Sequence, residues 1–149
     1  MQTISGSMTA DHRRCDEMFA SAEESVASGD WKQGSDRFET FRRTAEHHFV
    51  MEEDILFPRF EEATGQMAGP TQVMRMEHVQ MRQLFGEMQA ALVSRQADEY
   101  LGLSETLMMI MQQHNMKEEQ MLYPMMDRVL AGRESDLIRE MNRLGERIS

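Results

Sequence analysis

The sequence predicts an all-α protein, an up-down-up-down antiparallel four-helix bundle with an additional C-terminal helix. Three observations predict it. Met, Leu, Glu, Gln, Arg and Ala dominate while Val, Ile and Thr are scarce, a balance that favours helix over sheet. Apolar residues recur at three- and four-residue steps through long stretches. Those stretches are separated by short breaks bearing Gly or Pro, and with three prolines and nine glycines in 149 residues the helices between them are long.

Residues 1–7 read as a short extended or disordered lead, with Ser7 or Thr9 capping the first helix. That helix is expected over about 8–27, with Met8, His12, Cys15, Phe19, Ala22 and Val26 on one face, and Ser28-Gly29-Asp30 ends it. The second runs from Trp31 to about Glu62 with Gly34, Phe38, Phe41, Ala45, His48, Glu52 and Ile55 inward, and Pro58 kinks it or ends its regular part. The third follows Pro70, a first-turn proline, and carries Met74, His78, Met81, Phe85, Met88 and Leu92. After a break near Arg95-Gln96-Ala97, the fourth spans about Asp98–Leu130, with Tyr100, Leu103, Leu107, Ile110, His114, Glu118, Met121 and Met125 in line. A fifth amphipathic helix, about 134–148, aligns Leu137, Met141, Leu144 and Ile148.

The chain reads as one domain, 1–149, with an internal duplication of about 8–64 on 74–130. His48-x-x-x-Glu52-Glu53 and His114-x-x-x-Glu118-Glu119 are 66 residues apart, and each leads into an aromatic-Pro pair, Phe57-Pro58 and Tyr123-Pro124. Asp11-His12 and Glu77-His78 repeat at the same offset. A His and a Glu four apart lie one above the other on a helix. Residues equidistant from a hairpin turn sit at one height, and the turns fall midway between successive histidines. His12, His48, His78 and His114 therefore share a level of the bundle, with Glu52 and Glu118 one turn away.

Two buried carboxylates among four imidazoles need a compensating charge. Two divalent ions supply it, each taking two histidines while both glutamates bridge. A mixed His and carboxylate set suits iron, manganese or zinc, and a two-metal site inside a helical bundle favours iron.

With those residues in place, the chain resembles the hemerythrin-like, or HHE cation-binding, domains over roughly residues 8–130, leaving the last helix outside. The resemblance rests on His12, His48-x-x-x-Glu52, His78 and His114-x-x-x-Glu118 with their Leu-aromatic-Pro tails. It implies a non-haem di-iron centre, two iron ions per chain with a bridging oxo or hydroxo group. The metal ligands would be His12 and His48 on one ion, His78 and His114 on the other, and Glu52 and Glu118 between them. In such domains the centre meets oxygen, peroxide or nitric oxide, or senses iron or oxygen. Oxygen carriers of this kind have a fifth histidine four residues from another; the corresponding positions here are Met74 and Arg82. They also place an Asp five residues after the last His, where this chain has Glu118 after four. The departures leave a coordination position open and favour a small diatomic or peroxide ligand that reacts, as on a di-iron oxidoreductase. The alternative is a non-catalytic module that binds or senses oxygen, nitric oxide or iron.

Several residues have plainer roles. His47 points off the inward stripe, and Glu53 and Glu119 read as solvated charges, the alternative being a hydrogen bond to a ligand His. Asp11 and Glu77 suit the starts of helices. Cys15 reads as a buried inert thiol, Tyr123 as packing like its counterpart Phe57, and the seventeen methionines as core filler. The formal charge of −10 argues against nucleic acid or an anionic membrane as partner. One cysteine rules out an intrachain disulfide and, with no signal-like or spanning stretch in view, a cytoplasmic location is expected.

Overall fold

A computed structural model describes residues 2–148, and side chains as far as Leu144. The protein is all-helical, and no strand occurs among the described residues. Helix α1 spans Ile4–Ala27 and α2 Trp31–Met51; α2 passes through a π-helical turn, Glu52–Leu56, into α3, Phe57–Thr64. Helix α4 spans Pro70–Val93 and α5 Ala97–Lys117; α5 passes through a second π turn, Glu118–Leu122, into α6, Tyr123–Val129. Helix α7, Glu134–Ile148, is last. The strongest packing pairs are α1 with α2 and α4 with α5, and α1 also lies against α5 and α2 against α4.

Helix α1 starts earlier than its sequence suggested. Thr3, not Ser7 or Thr9, is the cap, its Oγ1 accepting the Gly6 N–H at 2.9 Å. The extra turn is held because Ile4 is fully buried and the Ser5 N–H donates to Asp127 of α6 at 3.2 Å. The lead expected over residues 1–7 is thus helical from Ile4 onward.

Pro58 does not break its helix. Proline has no N–H and its ring crowds the carbonyl four residues back. Here the turn before it widens, and the Phe57 N–H bonds to the Glu52 carbonyl, five residues back. Tyr123 does the same with Glu118 ahead of Pro124. Each π turn advances the inward face by one residue. Leu56, Phe57 and Phe60 are buried where Ile55 was expected, and Leu122, Tyr123 and Met126 where Met121 and Met125 were; Met121 is 64% exposed.

The buried side chains form two apolar clusters with a polar layer between them. One gathers Phe19, Phe38, Phe41, Phe49, Phe85, Met88, Tyr100 and Leu107 near the α1–α2 and α4–α5 turns. The other gathers Ile4, Met8, Leu56, Phe57, Phe60, Met74, Leu122, Tyr123, Met126 and Leu130, and α7 closes it with Leu137 and Met141. Ile148, expected on the same stripe of α7, lies outside the described side chains.

Candidate metal centre

The polar layer is built from one residue of α1, two each from the α2 and α5 runs, and one of α4. His12, His48, Glu52, His78, His114 and Glu118 are all buried, the two glutamates completely. The structure brings all six together. Glu52, His78, His114 and Glu118 offer ligand atoms within 4.8 Å of one another, as do His12, His48 and Glu118. Each carboxylate stands between rings of both histidine pairs. Glu118 Oε1 lies 3.0 Å from His12 Nε2 and 3.3 Å from His114 Nε2, and Glu52 Oε1 lies 3.1 Å from His78 Nε2 and 3.6 Å from His48 Nε2.

The outer nitrogens explain which way the rings present themselves. His12 Nδ1 is 2.7 Å from Glu119, His48 Nδ1 2.7 Å from Asp11, His78 Nδ1 2.7 Å from Glu53 and His114 Nδ1 2.8 Å from Glu77. The four pairs obey the 66-residue offset throughout. An Nδ1–H donated outward leaves the Nε2 lone pair facing inward, the tautomer a metal ligand needs. So Glu53, Glu119, Asp11 and Glu77, read from sequence mainly as solvated or helix-dipole charges, are the hydrogen-bond acceptors of the site. Their spacing was visible; that each reaches across to another helix was not.

Three of these carboxylates are themselves held by a cation. Arg14 pairs with Asp11, and Lys117 with Glu77. Arg82 reaches Glu53 at 2.8 and 3.0 Å and Glu46 at 2.9 Å. Arg82 thus occupies one position where the resemblance would put a fifth histidine, and from there it steadies Glu53 under His78. Met74, the other such position, is buried in the apolar cluster below. Phe49 stacks on the His78 ring at 4.1 Å and Phe57 lies nearly parallel to it at 5.9 Å, fixing its plane.

Hydrogen bonding satisfies some of the inner atoms and leaves four of them out. Glu52 Oε1, Glu118 Oε2, His78 Nε2 and His114 Nε2 are buried without a hydrogen-bond partner. His78 Nε2 and Glu52 Oε1 are close but misaligned for donation. Lone pairs converging in a buried space repel unless a cation or protons intervene. With protons alone the titration is displaced throughout. Burial pulls His114 down, but the charge of Glu118, with that of Glu52 and the hydrogen bond to Glu77, raises it to about 9. His12 and His78 are raised for the same reason, burial being outweighed by Glu118 and Glu119, and by Glu52 and Glu53. Burial and the charge of Glu118 raise Glu52. Burial opposes ionisation of Asp11 and Glu53 too, yet His48 with Arg14, and His78 with Arg82, hold them down to about 2.

Tyr123 was missed. Its hydroxyl is in the middle of the layer, donating to Glu52 Oε2 at 2.7 Å or Glu118 Oε1 at 2.9 Å, and standing 3.1 Å from His12 Nε2 and 3.3 Å from His48 Nε2. Its alignment with Phe57 suggested packing; the polar tip could be placed only once the π turn was known. Burial and the two glutamates push its phenol well above the ordinary value. Cys15 is one turn from His12, and burial with Asp11 and Asp16 raises its thiol to about 12. It is a buried, protonated thiol, as its stripe position suggested.

A cleft of about 20 Å³ adjoins His12 and His48, lined also by Cys15, Ala45, Phe49, Met81 and Met111. That is room for one water-sized molecule. Larger surface grooves, such as one of about 460 Å³ beside the start of α1, do not reach the inner histidines and glutamates. His47 faces such a groove with Arg14 and Asn142, away from the layer. No helix among the described residues is long and apolar enough to cross a membrane.

Comparison with curated proteins and with solved structures finds no match. Residues 3–126 match the family described as the Hemerythrin HHE cation binding domain, a span that covers every residue of the polar layer and stops before α7. The chain belongs to that family.

Proposed function

We propose that this is a non-haem di-iron protein whose open iron positions bind and react with O2, peroxide or nitric oxide. The single observation that carries it is the set of converging lone pairs: four inner atoms without hydrogen bonds, behind histidines whose outer protons are all committed to carboxylates. Such a layer fits two cations, with His12 and His48 on one, His78 and His114 on the other, and Glu52 and Glu118 between them. Imidazole with carboxylate suits iron, with manganese and zinc as lesser fits. The up-down-up-down order belongs to the same proposal; the packing of α1 on α2 and α5, and of α4 on α5 and α2, supports it.

Iron bound there would supply electrons to, or accept them from, a small ligand. The chain's own residues do the rest. The outer carboxylates orient the rings and raise their basicity as ligands. Phe49, Phe57 and the two apolar clusters keep bulk water out of the layer. The cleft beside His12 and His48 admits a molecule no larger than a diatomic or peroxide.

The test is reconstitution with Fe(II) without oxygen, followed by exposure to O2, peroxide or nitric oxide in turn. Consumption of many equivalents of one of them, abolished by His48→Ala, supports a reacting centre. Stoichiometric reversible uptake would assign the chain to the alternative, a module that binds or senses without turnover. Full metal loading of both His48→Ala and Glu118→Ala would overturn the ligand assignment.

A further inference from the structure

The two halves of the polar layer differ in the ring that follows each inner glutamate. At the 66-residue offset, the ring beyond Glu52 is Phe57 and the ring beyond Glu118 is Tyr123. Phe57 presents a hydrocarbon face to His78. Tyr123, fully buried, carries an oxygen to the centre.

That oxygen has four close polar neighbours, Glu52 Oε2, Glu118 Oε1, His12 Nε2 and His48 Nε2, at 2.7, 2.9, 3.1 and 3.3 Å. A phenol has one proton to give. With the imidazoles neutral, the state a metal requires, and their Nδ1 protons directed outward, all four neighbours present lone pairs, so at most one is satisfied by donation and three are left facing the phenol oxygen's own lone pairs. The arrangement is poor as a hydrogen-bond centre and good as part of a coordination shell. His12, His48 and Glu118 form a three-ligand group within 4.8 Å, and Tyr123 adds a fourth donor atom, an oxygen within 3.3 Å of both ring nitrogens. The π turn is what brings it there, since it moves Tyr123 onto the inward face.

The geometry points to Tyr123 as a protein ligand of the His12–His48–Glu118 position, one that has no counterpart at the His78–His114 position. The inference rests on the two-metal proposal above and deepens it, by making the two positions chemically different. In the binding step the phenol O–H bond breaks, an oxygen–metal bond forms and the proton leaves to solvent; no electron is transferred. A phenolate is a hard anionic donor, so the His12–His48 position should favour Fe(III) more strongly than its neighbour does.

The sequence contains two tyrosines, which makes the test clean. The other, Tyr100, is packed against Phe38 in the distant apolar cluster. The full chain, freed of metal, is titrated with Zn(II), a colourless ion, while the ultraviolet difference spectrum is followed. It is then loaded with Fe(III), and visible absorption and resonance Raman spectra are recorded. A tyrosinate difference signal with zinc is expected, saturating at one tyrosine per chain. With Fe(III) a phenolate charge-transfer band should appear, enhancing phenolate ring vibrations. Both are expected to vanish in Tyr123→Phe and persist in Tyr100→Phe, while Tyr123→Phe still binds two ions, one of them more weakly. Two bound ions in the wild type without either signal would overturn the tyrosine ligand and leave the two-metal centre standing. Failure of the wild type to bind any ion would overturn both. If Tyr123→Phe does not fold, the zinc signal of the wild type decides alone.

Discussion

Asp11, Glu53, Glu77 and Glu119 do their work one bond removed from the centre. Each fixes a histidine tautomer by accepting its Nδ1–H, and the inner Nε2 is thereby kept as a donor to a cation. Removing such a partner leaves the ligand in place but lets the ring turn. Glu53→Gln is therefore expected to lower metal affinity by roughly 10–100-fold without changing stoichiometry, as measured by competition with a chelator. Affinity unchanged would mean that Phe49 and Phe57 alone hold His78. The histidines also set a pH dependence. His114 sits at about 9 against an ordinary 6.5, so its protonated form is favoured in the folded protein. In metal-free protein that contribution is complete below 6.5 and is lost as the pH rises through about 9. Metal-loaded protein should behave oppositely, since binding requires the deprotonated ring and displaces protons. Melting curves of the two forms between pH 6 and 10 should therefore diverge, the metal-free midpoint falling as the loaded one holds.

At the scale of elements, the duplicated turns differ in an instructive way. Gly29 ends α1 at φ 82°, a left-handed conformation that glycine adopts without penalty. Its counterpart 66 residues on is Arg95, held at φ 52° with the same backbone hydrogen bonds, Gln96 N–H to Ala91 matching Asp30 N–H to Ser25. A non-glycine residue there is strained, so Arg95→Gly should stabilise the protein by about 0.5–1 kcal/mol in a denaturant titration. Helix α7 lies outside the family match but inside the core. Leu137 and Met141 are each 2% exposed. Leu137→Ala is expected to cost about 2–5 kcal/mol of stability while metal stoichiometry stays the same. Loss of metal in that variant would tie α7 to the centre itself. Helix type, the turns and the inward histidines were legible because each is written in local spacing. Thr3 as cap and the helical Ile4 were not, because the long-range burial of Ile4 and the Ser5–Asp127 contact hold them. The π turns were not either, since a period of 3.6 carried through Pro58 and Pro124 puts Ile55 and Met121 inside, and the real chain turns Phe57 and Tyr123 inward instead.

For the whole molecule, the polar layer is a cost that the two apolar clusters carry between them. Six buried ionisable side chains interrupt an otherwise continuous core, and converging lone pairs there favour the unfolded chain unless neutralised. A cation that binds only the folded chain reverses this by mass action, by about 4 kcal/mol when its free concentration is a thousand times Kd. The four histidines could be placed at one level from the sequence, with Glu52 and Glu118 one turn away, because the duplication makes the helices' turns serve as rulers. The sequence did not show how the outer carboxylates and Tyr123 complete the layer, since these contacts join residues as far apart as His12 and Tyr123.

The most direct measurement is the metal content of the purified and iron-reconstituted chain, by elemental analysis, alongside its melting temperature before and after chelation. Two ions per chain, lost with Glu118→Ala, and a melting temperature that falls on their removal are expected. A chain that takes up no stoichiometric metal and melts at the same temperature with and without chelator would contradict the central claim, that this buried layer of histidine and glutamate is a two-metal site.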